Sequence, residues 1–445
     1  MTTGYPAMTE AFPPAFMALM AQLLGSEAGA FFDALHQPPE RALRLRDAVR
    51  FFPEEDLLSP VPWSQDAWYV QPASALGTNP LHQAGAYYLQ DASAMVPAAA
   101  LAPQDGARVL DLCAAPGGKS VQLAHMVPHG LLLANEINPS RAQVLSANVE
   151  RMGLANCMVT CMPPDKLAAR LPQAFDYVLV DAPCSGEGMF RKNPTAHSMW
   201  SPEHVAGCAR RQMDILRSAA TLTAPGGRMA YSTCTFNTTE NEGVVDAFLQ
   251  EHPGWTPVPF ALPGLPAAPD GRLKLWPHRI AGEGQFVALL QKPEDVRPTY
   301  APPFVPRADQ AALRDAHTLM KEIIAQGLRP DALLGTTAVV LPPACLPVDG
   351  LVLLRLGLHA VRQVGRSLRP DHALALSATP TIQIPVDETE ARAFLRGETL
   401  PVPLSLRGWT APSLSGFALG WGKAVDGVLK NHVPKGLRVA TQPVE

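Results

Sequence analysis

From about residue 107 the chain alternates short apolar runs with stretches in which apolar residues recur every three or four positions. Short apolar runs bounded by turn residues read as buried strands and the longer period as helix, so the alternation predicts βαβ units and a parallel sheet. The predicted strands are Arg108 to Cys113, Leu131 to Glu136, Cys157 to Thr160, Tyr177 to Asp181 and Arg228 to Cys234, with Gln285 to Gln291 as a last edge strand. Asn138-Pro139 and Ser201-Pro202 each put a capping side chain before a proline at the first helical position, where the missing N–H costs nothing. Ala142, Leu145, Val149 and Met152 then follow at helical spacing and are expected to face the sheet. Pro225-Gly226-Gly227 is expected to end the long helix that begins after Ser201. Right-handed crossovers give an α/β fold, a doubly wound sheet with helices on both faces.

Outside this core the pattern changes. Phe16, Met20, Leu23 and Leu24, then Phe31, Phe32 and Leu35, carry a helical pattern within a small accessory unit that ends near residue 80. Prolines at 253, 257, 259, 263, 266 and 269 mark loops, and Pro298, Pro302, Pro303 and Pro306 mark a linker near residue 300. From about residue 335 the strand candidates Val339 to Leu341 and Leu351 to Leu354, and the segment Gly420-Trp421-Gly422-Lys423, fit a small β-rich module. A chain of 445 residues fits two to four domains, here divided as 1–80, 81–295 and 305–445.

Composition narrows the class. Hydrophobic residues are 47%, charged residues 17% and the formal net charge −4, as in ordinary globular proteins rather than disordered or fibrous ones. The N-terminus has no basic flank before an apolar run, and no segment is expected to reach the ~18 apolar residues that cross a bilayer, so a cytoplasmic protein is expected. Seven cysteines without a secretory signal are expected to stay reduced. Cys157 and Cys161 lack a second ligand pair, so no metal site is expected. Arg355, Arg362, Arg366 and Arg369 fit either phosphate contact or a solvated basic face.

The chemistry concentrates at strand ends, where open α/β sheets bind their ligands. The first predicted strand runs into Cys113-Ala114-Ala115-Pro116-Gly117-Gly118-Lys119, whose glycines permit close backbone approach and whose following helix offers unpaired N–H groups. The next strand ends at Glu136, and an acid there hydrogen-bonds a ribose hydroxyl pair in such folds. Together they point to an adenosine-containing cofactor; an ordinary tight turn is the alternative. The turn is not G-x-G-x-x-G, which disfavours a dinucleotide. Cys184, in Asp181-Ala182-Pro183-Cys184-Ser185-Gly186, and Cys234, in Thr233-Cys234-Thr235, each lie just past an apolar strand among polar residues, where a core cysteine would be wasted. A free thiol near pKa ~8.5 is mostly protonated at neutral pH, so a nucleophilic role needs a base: the second thiol, a water or a group of the substrate. Cys113, Cys157, Cys161, Cys208 and Cys345 read as inert thiols. Asp181 suits hydrogen bonding to a ring nitrogen and exocyclic amine, with a turn-forming Asx as its alternative. Glu187, Arg191 and Lys192 read as a loop ordering a polyanion.

Cys113 to Lys119, Asp181 to Lys192 and Tyr231 to Thr235, joined by Tyr87 to Ser93, Leu275 to Phe286 and Leu419 to Gly436, resemble the NSUN family of RNA 5-methylcytosine methyltransferases, over nearly the whole chain. The resemblance implies a Rossmann-like methyltransferase core at 81–295, a small N-terminal α+β RNA-binding domain and a β-rich, PUA-like RNA-binding module at the C-terminus. It implies that Cys113, Ala114, Ala115, Pro116, Gly117, Gly118, Lys119, Glu136 and Asp181 hold S-adenosyl-L-methionine. It further implies Cys234 as nucleophile, Cys184 as the residue that assists product release, and Asp181 bordering both cofactor and cytosine. Family members often place an Asp after the third strand to contact adenine; Cys161-Met162-Pro163-Pro164-Asp165 departs from that pattern, which leaves the contact unassigned. The implied substrate is small-subunit ribosomal RNA, methylated by a monomer in the cytoplasm. Transfer RNA, a DNA cytosine-C5 methyltransferase using the Pro-Cys motif as nucleophile, and a catalytically silent RNA-binding assembly factor are the rivals.

Overall fold

A computed structural model describes residues 12–46, 55–71, 74–192, 194–296 and 309–439, with 194 and 195 described by backbone only. The linker expected near residue 300 lies outside them. Helices α1 (Pro14–Leu24) and α2 (Ala28–His36) precede strands β1 (Ala42–Leu45), β2 (Leu57–Pro60) and β3 (Ala67–Val70), then α3 (Pro80–Gln83) and β4 (Tyr87–Leu89). The four strands form an antiparallel sheet in the order β2-β3-β1-β4. Tyr87–Leu89 lies beyond the boundary expected near residue 80, yet it hydrogen-bonds to β1 with Leu89 opposite Leu43.

Pro14–His36 is long and apolar enough to cross a membrane by length and composition, which corrects the expectation that no segment is. A span needs about 20 residues in one helix. Here the chain breaks at Gly25, φ 55°, and folds back so that the rings of Phe16 and Phe31 lie 6.3 Å apart. Phe16, Met20, Phe31 and Leu35 are buried in one cluster with Phe190, Trp200, Phe236 and Trp276 of the following domain.

After α4 (Val96–Leu101) come β5 (Arg108–Asp111), α5 (Gly118–Met126), β6 (Leu131–Asn135), α6 (Pro139–Arg151), β7 (Cys157–Thr160), α7 (Pro164–Arg170) and β8 (Phe175–Asp181). Next are α8 (Pro194–Met199), α9 (Pro202–Leu222), β9 (Thr223–Thr233), α10 (Glu242–Glu251), β10 (Thr256–Pro257), β11 (Arg272–Leu275) and β12 (Gln285–Gln291). The sheet runs β10-β12-β9-β8-β5-β6-β7, parallel from β9 to β7, with β12 antiparallel to β9. This is the predicted doubly wound core. Strand order reverses between β5 and β8, so a crevice opens beyond their carboxyl ends.

Successive side chains of a strand point to opposite faces, and the two faces bury separate clusters. Leu110, Val178, Leu216, Ala219 and Phe248 pack on one side, and Val109, Val121, Leu145, Val149 and Leu179 on the other. Asn138 and Ser201 cap α6 and α9 by accepting from the N–H groups of Arg141 and His204. Helix α9 ends at Leu222, earlier than expected. Thr223 Oγ1 donates to Ala219 O at 2.7 Å, closing the last turn. Pro225-Gly226-Gly227 then forms an irregularity inside β9, with Gly226 at φ 69° and a register shift against β8.

The C-terminal region contains α11 (Gln310–Ile323), β13 (Ala332–Leu334), β14 (Thr337–Val340), β15 (Leu353–Leu356), β16 (Leu358–Val364), β17 (Ser367–Pro370), α12 (His372–Ser377), β18 (Gln383–Pro385) and α13 (Glu388–Arg396). It closes with β19 (Leu400–Pro401), β20 (Gly408–Leu414), β21 (Phe417–Ala418), β22 (Gly422–Val425) and β23 (Val428–Asn431). One sheet runs β13-β14-β16-β17 and another β18-β20-β22-β23-β19. The strand expected at Leu351 to Leu354 joins neither: β15 lies antiparallel to β7 and covers the edge of the core sheet. Arg355 on β15 is therefore buried at 3% exposure and ion-paired to Glu150 of α6, not a phosphate ligand or a solvated face. Arg362 pairs with Asp371 at 2.9 Å, while Arg366 and Arg369 are exposed. Trp421 is buried and donates from Nε1 to Asp371 O at 3.0 Å.

Candidate active site

The turn after β5 is held from three sides. Leu112 N donates to Leu179 O and Ala114 N to Asn135 O, each at 2.9 Å, while Arg141 Nη2 reaches Ala115 O and Asn148 Nδ2 reaches Pro116 O, each at 2.8 Å. Gly117, φ 118°, sits behind the turn, where a Cβ would come 3.1 Å from Leu145 Cδ1. At Gly118 a Cβ would meet Tyr88 and Gln90 at 3.2 Å, so the N-terminal sheet closes directly on the start of α5. Cys113, Ala114, Ala115, Pro116, Gly118 and Lys119 line a cavity of about 230 Å³ with Asp111 and Asp181. Asp111 is buried; Oδ2 accepts from Ser120 Oγ at 2.7 Å and Oδ1 has no partner. Burial raises its carboxyl to about 7. The Cys113 thiol is also pushed up by burial.

Glu136 lies just past β6 and is buried, with Oε1 accepting from Asn138 N at 2.9 Å and Oε2 3.4 Å from Arg141 Nη1. It lines a second, larger cleft of about 850 Å³ together with Cys113, Ala115, Asp165, Asp181, Cys184 and Cys234. Asp165, in the first turn of α7, lines the same cleft.

Two strand ends bring the cysteines together. Cys184 follows β8, Cys234 follows its parallel neighbour β9, and their sulfurs are 3.3 Å apart. The hydrogen bond with Cys234, then burial, holds the Cys184 thiol well above its ordinary value, so at neutral pH it is protonated. Cys234 is fixed through its carbonyl, which accepts from Gly188 N at 2.8 Å. Asp181 is tied down by Lys119 Nζ at 2.8 Å, Ser232 Oγ at 2.7 Å and Gln285 Nε2 at 3.1 Å. For Lys119, burial disfavours the charge but Asp181 outweighs it, and the ammonium pKa rises.

The loop charges behave otherwise than expected. Glu187 is fully buried and accepts from Trp200 Nε1 at 2.9 Å and from the N–H groups of Phe236 at 2.6 Å and Asn237 at 3.0 Å. Arg191 is buried against Glu283 at 2.7 Å, and Lys192 lies 3.4 Å from the same residue. These groups brace the loop from inside, so Glu187 and Arg191 are not presented to a polyanion. Sequence reading also passed over Ser232, Gln285, Gln212, Asn237 and Glu240, which hold Asp181 and the cysteine loop. Their signal in sequence is weak: polar residues on three separate stretches, at 212, at 232–240 and at 285.

Three known families match along the chain: the N-terminal domain of 16S rRNA methyltransferase RsmF over residues 12–92, 16S rRNA methyltransferase RsmB/F over 98–291, and the methyltransferase RsmF PUA domain over 381–439. The chain is 34% identical over 466 residues to ribosomal RNA small subunit methyltransferase F of Klebsiella pneumoniae strain 342, covering 96% of both chains. It is 32% identical over 459 residues, again covering 96% of both, to the protein so described in Enterobacter sp. strain 638. Among solved structures, a methyltransferase homologue from Pyrococcus horikoshii aligns at 28% identity and TM-score 0.55, covering 63% of this chain and 96% of that one. NSun6 from Pyrococcus horikoshii with SFG shares the fold at 20% identity and TM-score 0.57, covering 64% of this chain and 100% of that one.

Proposed function

The chain belongs to the RsmF family of S-adenosylmethionine-dependent ribosomal RNA methyltransferases, and from that premise we propose that it methylates C5 of a cytosine in 16S rRNA through a temporary Cys234–C6 bond that Cys184 helps to break. The observation that carries the reading is the 3.3 Å pairing of the two sulfurs in the cleft that also holds Glu136 and Asp181. We assign residues 1–80 and 305–445 to RNA binding and 81–295 to catalysis, in a monomer working in the cytoplasm.

S-adenosylmethionine, when bound, supplies a sulfonium methyl that awaits a carbon nucleophile. The residues present fit it. Glu136 suits the ribose hydroxyls. The unpartnered Oδ1 of Asp111 suits the ammonium of the methionine part, and the turn Cys113 to Lys119 closes around that end.

Cytosine C5 is too weak a nucleophile to be methylated directly. Cys234 gives its thiol proton to water in the open cleft and its sulfur adds to C6; the sulfur–carbon bond forms, and the displaced electrons make C5 enamine-like while charge gathers on the ring. The Lys119 ammonium, held by Asp181 at 2.8 Å, stabilises that charge by donating to the ring, an effect worth ~3 to 4 kcal/mol for a well-placed donor, while the Asp181 carboxylate accepts from the exocyclic amine. After methylation the C5 proton passes to water in the open cleft, the C5–C6 double bond re-forms and the Cys234 sulfur departs with its electron pair. Cys184, protonated and 3.3 Å away, donates to that sulfur. The target base must be unpaired or extruded to enter.

Nucleoside mass spectrometry on 16S rRNA treated with the protein and S-adenosylmethionine tests the reading. 5-Methylcytidine is expected, lost in Cys234→Ala while cofactor affinity is retained. Methyl on another nucleoside, or full activity without Cys234, overturns it.

A further inference from the structure

Behind the Cys184 loop lies a carboxylate that the reaction above leaves unused. Glu240 is fully buried, and none of the described cations forms an ion pair with it. It is held by donors. Oε2 accepts from Ser185 N at 2.9 Å and Gln212 Nε2 at 2.8 Å, and Oε1 accepts from Asn237 Nδ2 at 2.8 Å. Its backbone is fixed too, with Tyr231 OH donating to its carbonyl at 2.6 Å and its N–H donating to Asn237 Oδ1 at 2.9 Å. Gln212 also donates to Pro183 O at 3.1 Å. Glu240 and Gln212 therefore clamp the backbone on both sides of Cys184, at Pro183 O and at Ser185 N.

A buried, unpaired carboxylate is costly unless every acceptor is served. A carboxylate serves this site best, because all three partners of the side chain donate to it, and an amide there would be accommodated only by turning the unpartnered Oε1 of Gln212 toward it. The charge sits among a defined set of titratable groups: Cys234 and Tyr231 on and after β9, Asp181 on β8, Cys208 on α9, and Glu187 in the loop before α8. It raises the Cys184, Tyr231 and Cys208 pKa values, in each case adding to larger effects led by burial or the Cys234 hydrogen bond.

We propose that Glu240 is the positioning residue of Cys184, fixing its thiol beside Cys234 and, by its negative charge, disfavouring loss of the Cys184 proton, so that this proton stays available to the departing Cys234 sulfur. Two chemically identical side chains thereby take different roles. The nucleophile faces the Lys119 side of the cleft, and the acid faces the buried carboxylate. The inference rests on the roles given to Cys234 and Cys184 above.

The test uses the full chain in a Cys234→Ser background, with pH-dependent alkylation by iodoacetamide quantified on the Cys184 peptide by mass spectrometry. Adding Glu240→Gln is expected to move the Cys184 profile to lower pH by about one unit, hence about tenfold faster alkylation below the midpoint. An unchanged profile overturns the charge role. This measurement needs neither RNA nor methyl donor, so it stands or falls separately from the cytosine reaction. Should Glu240→Gln fail to fold, Gln212→Ala, which loosens the clamp but keeps the charge, is expected to slow release of the RNA adduct without altering first-turnover methyl transfer. Release at the rate of the unaltered chain overturns the positioning role.

Discussion

At the scale of single residues, burial decides which form each ionisable group takes. Asp111 is the sharpest case, because its site at the end of β5 keeps one carboxyl oxygen without a donor and raises its pKa to about 7. An unfolded Asp titrates near ~3.9, so the folded chain holds this proton more tightly, and stability from this group declines as pH climbs from about 4 to about 7. The carboxylate, not the acid, complements a cofactor ammonium. S-adenosylmethionine affinity, measured by calorimetry, is therefore expected to rise up to about fivefold between about pH 6 and about pH 7, following the ionised fraction. Asp111→Asn should flatten that dependence, and a constant affinity for the unaltered chain would contradict the assignment. Charge patterns were less legible. Glu187 and Arg191 looked like surface groups because nothing local signals that their partners, Asn237, Trp200 and Glu283, come from elsewhere in the chain.

At the scale of elements, the cysteine pair depends on how tightly the loops after β8 and β9 approach. Gly188 donates to Cys234 O, and a Cβ on it would lie 2.8 Å from that oxygen and 3.1 Å from Glu283 O. Both obstacles are backbone. Gly188→Ala should displace Cys234 and cut methyl transfer about 100-fold, as misplacement of a reacting group by an ångström does, with a stability loss of about 1 to 3 kcal/mol in thermal unfolding. Unaltered kcat would mean the loop contact does not position the sulfur. The elements themselves were largely readable. Gln285 to Gln291 is a strand at the expected residues because its run is buried along its length, and Asn138 and Ser201 cap as their spacing implies. Pro225-Gly226-Gly227 misled because a proline and glycines that look like a helix terminator sit equally well in an irregular strand entry, once Thr223 has closed the helix. The apolar period of Phe16 to Leu35 was visible, whereas the reversal at Gly25 and the burial against Phe236 and Trp276 belong to tertiary packing.

At the scale of the whole molecule, the flanking regions complete the catalytic domain. The N-terminal sheet sends Tyr88, Gln90 and Arg44 to the turn after β5, where Arg44 Nη2 lies 3.4 Å from Gly118 O. The C-terminal strand β15 covers the β7 edge, and Glu150 joins α6 to both Arg355 and His372, the latter at 2.9 Å. Neither junction is written in local periodicity, since each pairs residues far apart in the chain, and the relation to the RsmF family over 96% of the chain extends across both. What unites these parts is the sulfur of Cys234 at the centre. The most direct measurement is peptide mapping of Cys184→Ala after incubation with 16S rRNA and S-adenosylmethionine under denaturing conditions. A stable protein–RNA adduct is expected, in which the Cys234 peptide carries a methylated cytidine; an adduct on another cysteine, or rapid turnover with no adduct, would show that Cys234 is not the nucleophile.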